Sequence, residues 1–258
     1  MNREGTSKKR NYAYANDLEE YLKKLPPPPE EHAYELKMEK RLKKMIQKQD
    51  NSVKILDTLK ANYQDAKGTA LKYENPFQLL IATILSAQCT DIQVNMVSEP
   101  LFKKYKTPED FASADLKELE EIIKPTGFFH NKAKFIKEAS KKLAEDFDSR
   151  VPQSIEELTS LSGVARKTAN VVLSNAFGIN QGVAVDTHVL RLSKRLGFTK
   201  EKNREKVERD LIKLFPRERW YEVTNLLIAH GREICKARKP RCEECVANQL
   251  CPSAYTFD

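Results

Sequence analysis

The sequence predicts an all-α fold. Three observations carry that prediction: apolar residues recur three and four positions apart, few segments alternate apolar and polar with period two, and the breaks between apolar stretches carry helix-start and helix-stop residues. The 258 residues are 40% hydrophobic and 32% charged, enough apolar material for a real core in a soluble globular protein. No run of about 18 apolar residues occurs, so no membrane-spanning helix is expected. Met1-Asn2-Arg3-Glu4 has no apolar segment behind it, so no secretory signal is expected either.

Taken in order, residues 1–52 read as a charged extension. Lys8-Lys9-Arg10 is a basic patch, and Pro26 to Pro29 form an extended, stiff run. Glu30 to Gln49 reads as a charged helix with few apolar positions (Leu36, Met38, Leu42, Met45, Ile46). A solvated tail is the plainer reading, ahead of a nuclear address or a nucleic-acid-binding arm. The core is expected to start near Val53. Asn75-Pro76 opens a strongly apolar helix from Phe77 to Ala87, with proline well placed in the first turn. Asp91 is expected to cap a helix over Ile92 to Tyr105. Thr107-Pro108-Glu109-Asp110 starts another, and Ser113 or Asp115 leads into Leu116 to Ile123. Gly127 marks a turn, and Asn131 opens a long amphipathic helix ending near Phe147. Three further helices are expected over Thr187 to Leu196, Asn203 to Phe215 and Arg217 to His230.

Between these lies the stretch with the most chemistry in it. Ser154 and Glu157 have capping-box spacing and open a short apolar helix through Leu158 and Leu161. Gly163 breaks it, because only glycine takes positive φ without steric cost. A second helix starts near Ala165 and runs to Gly178, a natural stop. Amides at such a helix start are ready to bind a phosphate. Lys167 lies in the first turn, where the helix dipole disfavours an ammonium. A lysine that loses its proton near neutrality is a nucleophile able to form a Schiff base. Asp186, in Val185-Asp186-Thr187-His188, is positioned in the chain to take a proton or to stabilise a developing cation. On spacing alone the plainer reading stands ahead, a surface lysine and an aspartate capping the helix that follows.

Net charge is +8 with pI near 9.1, which favours a polyanionic partner. Four of the five cysteines, Cys235, Cys242, Cys245 and Cys251, are separated by six, two and five residues. Clustered thiols without an export signal point to a metal site, and the spacing alone suits zinc or an iron–sulfur cluster equally. Between the first two ligands sit Lys236, Arg238, Lys239 and Arg241, with no acid among them. A basic loop anchored at both ends is a good phosphate clamp.

The runs Leu161 to Val172 and Val185 to Val189, the segment Leu85-Ser86-Ala87-Gln88-Cys89-Thr90-Asp91 and the six-two-five cysteine spacing together resemble the endonuclease III family of DNA glycosylases, of the helix-hairpin-helix, iron–sulfur type. The resemblance spans roughly Val53 to Cys251. It departs from the family pattern at Ser162, where proline is usual, and at Ala165, where a second glycine is usual and a methyl group now crowds the approach to phosphate. It implies two helical lobes around a DNA-binding cleft, with lobe one discontinuous (53–90 and 199–258, carrying the cluster) and lobe two a six-helix unit (91–198, carrying the hairpin). It also implies a base-excision repair enzyme that removes oxidised pyrimidines from duplex DNA and cuts the abasic site by β-elimination, without Mg²⁺. Lys167 would be the Schiff-base nucleophile and Asp186 its partner. Gly163, Val164 and Ala165 would meet the backbone phosphates, Gln88 would fill the gap left by the flipped nucleotide, and His130 would lie beside the cleft and touch DNA. Cys235, Cys242, Cys245 and Cys251 would hold a four-iron four-sulfur cluster.

Two other readings are open. A monofunctional mismatch glycosylase shares this architecture but generally lacks the lysine. A non-catalytic helix-hairpin-helix DNA-binding protein needs neither Lys167 nor Asp186. His188 and His230 are expected to be structural, Trp220 and Tyr221 to pack in the core, and Cys89 to be a buried residue without chemistry. No P-loop, Ser-His-Asp order or paired-carboxylate motif occurs. The protein is expected to act as a monomer, away from membranes, in the cytoplasm and at the nucleoid if its source is prokaryotic.

Overall fold

The computed structural model describes residues 31–66 and 68–257, so the Lys8-Lys9-Arg10 patch and the Pro26 to Pro29 run lie outside the described residues. Eleven α-helices and four short 3₁₀ turns carry the fold, with no strand among the described residues. None of these helices is long and apolar enough to cross a membrane.

Helix α1 (Glu31–Asn62) is longer than its sequence signals suggest. A helix ending near Gln49 was the expectation, yet no Gly or Pro occurs between Gln49 and Asn62 to stop it. The chain divides into two compact units between Lys54 and Ile55, inside this helix. On the first unit Leu36, Met45 and Ile46 are exposed, in keeping with a solvated segment.

The second unit, from Ile55 onward, holds the core. Helix α2 (Pro76–Leu85) is capped by Asn75, whose Oδ1 accepts from the Gln78 amide at 2.9 Å. Every residue from Phe77 to Leu85 is buried, which is why the sequence there is apolar on all sides. Helix α3 (Asp91–Lys104) corrects one assignment: Thr90 is the cap, accepting from the Gln93 amide, and Asp91 is the first helical residue. Helix α4 (Pro108–Ser113) opens with a full capping box between Thr107 and Asp110. Asp115 caps helix α5 (Leu116–Ile123). Helix α6 (Phe129–Asp146) starts two residues before Asn131 and has no side-chain cap. Helices α7 (Ile155–Thr159), α8 (Arg166–Ala176), α9 (Thr187–Arg195), α10 (Arg204–Leu214) and α11 (Trp220–Glu233) follow, the last preceded by a 3₁₀ turn at Arg217–Arg219.

Two apolar clusters organise this unit. The first runs from Leu71 to Leu173 and joins α2 through α8. The second joins Ile55, Leu56 and Leu59 at the end of α1 to α9, α10 and α11. Helix α2 therefore packs with the helices that follow it, and α9 packs with α11, so the apolar packing changes sides near Leu71 and Val183. The candidate residues Lys167 and Asp186 sit where the two clusters meet.

Candidate active site

The hairpin is built from α7, a glycine turn and α8. Ser154 caps α7 by accepting from the Glu157 amide at 3.2 Å, while its hydroxyl donates to Glu157 Oε2 at 2.8 Å. The glutamate thus takes the serine hydroxyl, where a complete capping box would take the serine amide. Gly163 has φ +75°, and a Cβ there would stand 2.7 Å from the Cβ of Phe135 on α6. Both the turn and the close packing of Phe135 demand glycine. Gly163→Ala is therefore expected to cost about 2 kcal/mol in urea denaturation and to weaken DNA affinity, because the strain falls on the loop that carries the amides. Val164 is buried and anchors the turn. Ala165 is the N-cap of α8 and offers no side-chain acceptor, so the first amides of α8 are left uncapped.

Lys167 sits one position into α8. Asp186 is the N-cap of α9 and accepts from the Val189 amide at 2.8 Å. Capping and catalysis are compatible here, since a carboxylate has two oxygens and the cap uses Oδ1. Both residues open onto one cleft of about 600 Å³, lined on the first cluster's side by Thr83, Ser86, Gln88 and Asp91, and on the second's by Val185, Thr224 and Ile228. Water reaches Lys167, yet the cleft walls surround it closely. That loss of solvation pushes its ammonium below the ordinary lysine value; Asp186 and then Asp91 pull it back up, while Arg204 adds to the depression. Desolvation is the largest of these influences, so the net displacement is downward.

Gln88 projects into the cleft with φ +54°, a rare conformation for a residue with a Cβ. It lies past the end of α2, exposed, as a gap-filling side chain requires. Asp91 pairs with Arg232 Nη2 at 3.0 Å, joining α3 to α11 across the cleft. Cys89 is half-buried against the first apolar cluster and also lines the cleft. His130 does not line the cleft. It is exposed at the start of α6, paired through Nδ1 with Glu120 at 2.8 Å. Beside it stands Phe128, 63% exposed with φ +50°. Tyr221, assigned to the core by spacing, instead lines the cleft and donates to Asn175 Oδ1 at 3.0 Å. The Gly68 backbone comes so close that a Cβ there would lie 2.5 Å from the Tyr221 hydroxyl.

The four cysteines of the C-terminal loop are free thiols lining one hollow, together with His230, Pro240 and Asn248. Zinc needs its sulfurs about 2.3 Å from one point. Among the described residues no three such donors are so arranged, whereas all four sulfurs ring a common space. Four thiols facing one hollow are a donor set that fits soft metal chemistry, zinc or an iron–sulfur cluster. Arg195 on α9 braces the loop: it donates to Cys235 Sγ at 3.3 Å, the Lys236 carbonyl at 2.7 Å and the Ala237 carbonyl at 3.0 Å. Lys236, Arg238 and Lys239 are exposed, and Lys239 has φ +48°. Arg241 is engaged locally, with Glu244 Oε2 at 2.5 Å and the Glu233 carbonyl at 3.0 Å.

This arrangement has counterparts. Residues 81–217 match the family described as HhH-GPD superfamily base excision DNA repair protein. The Endonuclease III of Synechocystis sp. is 53% identical over 217 residues, spanning 84% of this chain and 99% of that protein. The chain belongs to the endonuclease III family. The Bacillus subtilis Endonuclease III is 50% identical over 73% of this chain and 86% of its own length. A solved non-covalent Endonuclease III–DNA complex superposes with TM-score 0.77 at 42% identity, covering 81% of this chain and 97% of that one. As a member of the endonuclease III family, the protein is a base-excision DNA repair enzyme, a DNA glycosylase and abasic-site lyase. The expected fold, family and activity stand.

Proposed function

We propose that Lys167 is the Schiff-base nucleophile and Asp186 its partner, acting on an oxidised or ring-saturated pyrimidine that has been rolled out of duplex DNA. The observation that carries this reading is the lysine itself: it opens onto the same cleft as Asp186, with its ammonium destabilised by the cleft walls. Neutral Lys167 attacks C1′ of the sugar as the bond to the base breaks. Asp186 accepts the amine's proton and stabilises positive charge on the sugar ring while the base leaves. The sugar ring then opens: C1′–O4′ breaks, O4′ takes a proton and C1′ becomes the imine carbon, which acidifies C2′; a proton leaves there, and the 3′ phosphate departs by β-elimination. Electrons flow into the imine, so the step needs no metal ion as electron sink. A solved relative described as a trapped Endonuclease III–DNA covalent intermediate, 42% identical, supports the same path here.

DNA would meet three parts of the surface: the uncapped amides around Gly163, Val164 and Ala165, the cleft with Gln88, and the loop with Lys236, Arg238 and Lys239. His130 and Arg241, occupied by Glu120 and Glu244, are left at the margin of this surface. Replacing Lys236, Arg238 and Lys239 together with Gln is expected to lower the slope of log K against log salt by about 0.9 for each phosphate that is no longer neutralised. Fluorescence anisotropy across a salt series reads this directly, and an unchanged slope would remove the loop from the interface. Cys235, Cys242, Cys245 and Cys251 would hold a four-iron four-sulfur cluster, which supplies loop shape and a redox centre when bound.

Borohydride trapping on a duplex with one thymine glycol, and on one with a plain abasic site, tests the reading. A covalent complex on both supports a lysine imine and a pyrimidine lesion. A complex on the abasic duplex alone keeps the lyase and moves the lesion elsewhere.

A further inference from the structure

We propose that Tyr63 and His230 form a hydrogen-bond relay to Cys245 that raises the reduction potential of the cluster. The inference rests on the reading that the four cysteines hold an iron–sulfur cluster, and it goes beyond that reading by assigning two residues that are not ligands. Tyr63 lies just past the end of α1, its amide bonded to the Leu59 carbonyl at 2.8 Å, and its ring packs on the second apolar cluster. Its hydroxyl stands 3.0 Å from His230 Nδ1, and the two rings meet edge to face at 5.7 Å. His230, on α11, is 1% exposed. Its other nitrogen, Nε2, is 3.4 Å from Cys245 Sγ. The imidazole thus has a phenol on one side and a cluster-facing sulfur on the other.

The chemistry of the ends fixes the proton in the middle. A neutral imidazole carries one N–H. If that hydrogen were on Nδ1, the bare lone pair of Nε2 would face the lone pairs of a metal-bound thiolate. If it is on Nε2, the N–H points at the sulfur and Nδ1 accepts from the Tyr63 hydroxyl. An anionic sulfur selects the second arrangement, and the tyrosine O–H locks it. A donor to a ligand sulfur stabilises negative charge. Reduction adds one electron to the cluster and moves no proton along the relay, so the donor favours the reduced state and raises the potential.

Tyr63→Phe keeps the ring and its packing but deletes the O–H, freeing the imidazole to turn its proton away from sulfur. The test uses purified, cluster-loaded full-length protein, with protein-film voltammetry on wild type, Tyr63→Phe and His230→Leu. The expected result is a lower potential in Tyr63→Phe, corresponding to a three- to tenfold shift in the oxidised-to-reduced ratio, and tenfold is about 59 mV for one electron. His230→Leu is expected to shift the potential in the same direction and further. Visible absorbance of the cluster and the base-excision rate in Tyr63→Phe are expected to stay at wild-type levels, since Tyr63 is outside the cleft. Equal potentials in wild type and Tyr63→Phe, both fully loaded, would overturn the relay. Loss of the cluster from Tyr63→Phe would also overturn it, making the tyrosine a strut. A wild-type protein without iron, sulfide or visible absorbance would instead overturn the cluster reading, and the relay with it.

Discussion

Lys167→Gln is expected to abolish borohydride trapping on both thymine-glycol and abasic duplexes while leaving DNA affinity within about threefold of wild type. Glutamine keeps the length and polarity of the side chain but has no amine to attack C1′. Losing a covalent path of this kind removes at least about 4 kcal/mol of barrier lowering, on the order of 10³ in rate. The uncapped amides, Gln88 and the basic loop are untouched, so binding persists. The two measurements together separate a lost nucleophile from a lost interface. Trapping retained by the variant would place the nucleophile on another amine.

The same residue makes a pH prediction with a definite sign. On the proposed mechanism the working form is the neutral amine, and desolvation by the cleft walls lowers its pKa from the ordinary 10.5. Single-turnover base excision should therefore rise with pH and level off below 10.5. In stability the sign is equally fixed. A lysine whose folded pKa is depressed binds its proton more tightly in the unfolded chain. It therefore destabilises the fold below its folded pKa, and that cost fades as pH rises toward the unfolded value. Lys167→Gln removes the cost, so the variant is expected to melt slightly higher than wild type at neutral pH, with the gap closing at alkaline pH. Catalytic loss with a gain in Tm would mark Lys167 as a residue kept for chemistry at the expense of stability.

Much of the fold was legible because its signals are local. Asn75-Pro76, Thr107 with Asp110, Asp115, Asn203 and Gly178 each act within a few residues, and the helices start or stop beside them. Where the reading slipped, the deciding force was not local. Asp91 is as good a cap as Thr90 in sequence, but Arg232 across the cleft claims its carboxylate. Helix α6 starts before Asn131 because the chain turns at Gly127 and Phe128 through positive φ, which no side-chain cap announces. Tyr221 has core spacing on α11, yet the face it shares belongs to the cleft, and only the packing of α8 against Gly68 and Tyr221 shows this. The chemistry proposed for Lys167 and Asp186 starts from residue types visible in the sequence, but their common cleft is a property of two helices from opposite clusters. The Tyr63–His230–Cys245 line had no signal at all, since its ends are more than 180 residues apart in the chain.

Cys242→Ser is expected to lose the cluster's visible absorbance and about 4 kcal/mol of stability, a fall in Tm of about 10 °C for a unit of this size. The reason runs from the loop outward. Between Cys235 and Cys251 the chain has only two single-turn 3₁₀ elements, and most of its backbone bonds are local turns that reach back two or three residues. Side-chain ties come from Arg191 and Arg195 on α9, from Arg241 to Glu244 and the Glu233 carbonyl, and from Asn248, which donates to the Cys242 carbonyl at 3.2 Å. A serine hydroxyl is a poor ligand for iron beside three thiolates, and losing one corner of the set frees the span that carries Lys236, Arg238 and Lys239. DNA affinity should therefore fall together with colour, by about the amount that the triple Gln variant loses, although no basic residue has been changed. Base excision at saturating enzyme should fall less than affinity, because Lys167 and Asp186 are held by α8 and α9, outside the loop. A Cys242→Ser protein that keeps its colour, its Tm and its affinity would show that Cys242 is no ligand and that the basic loop is ordered by its arginine ties alone.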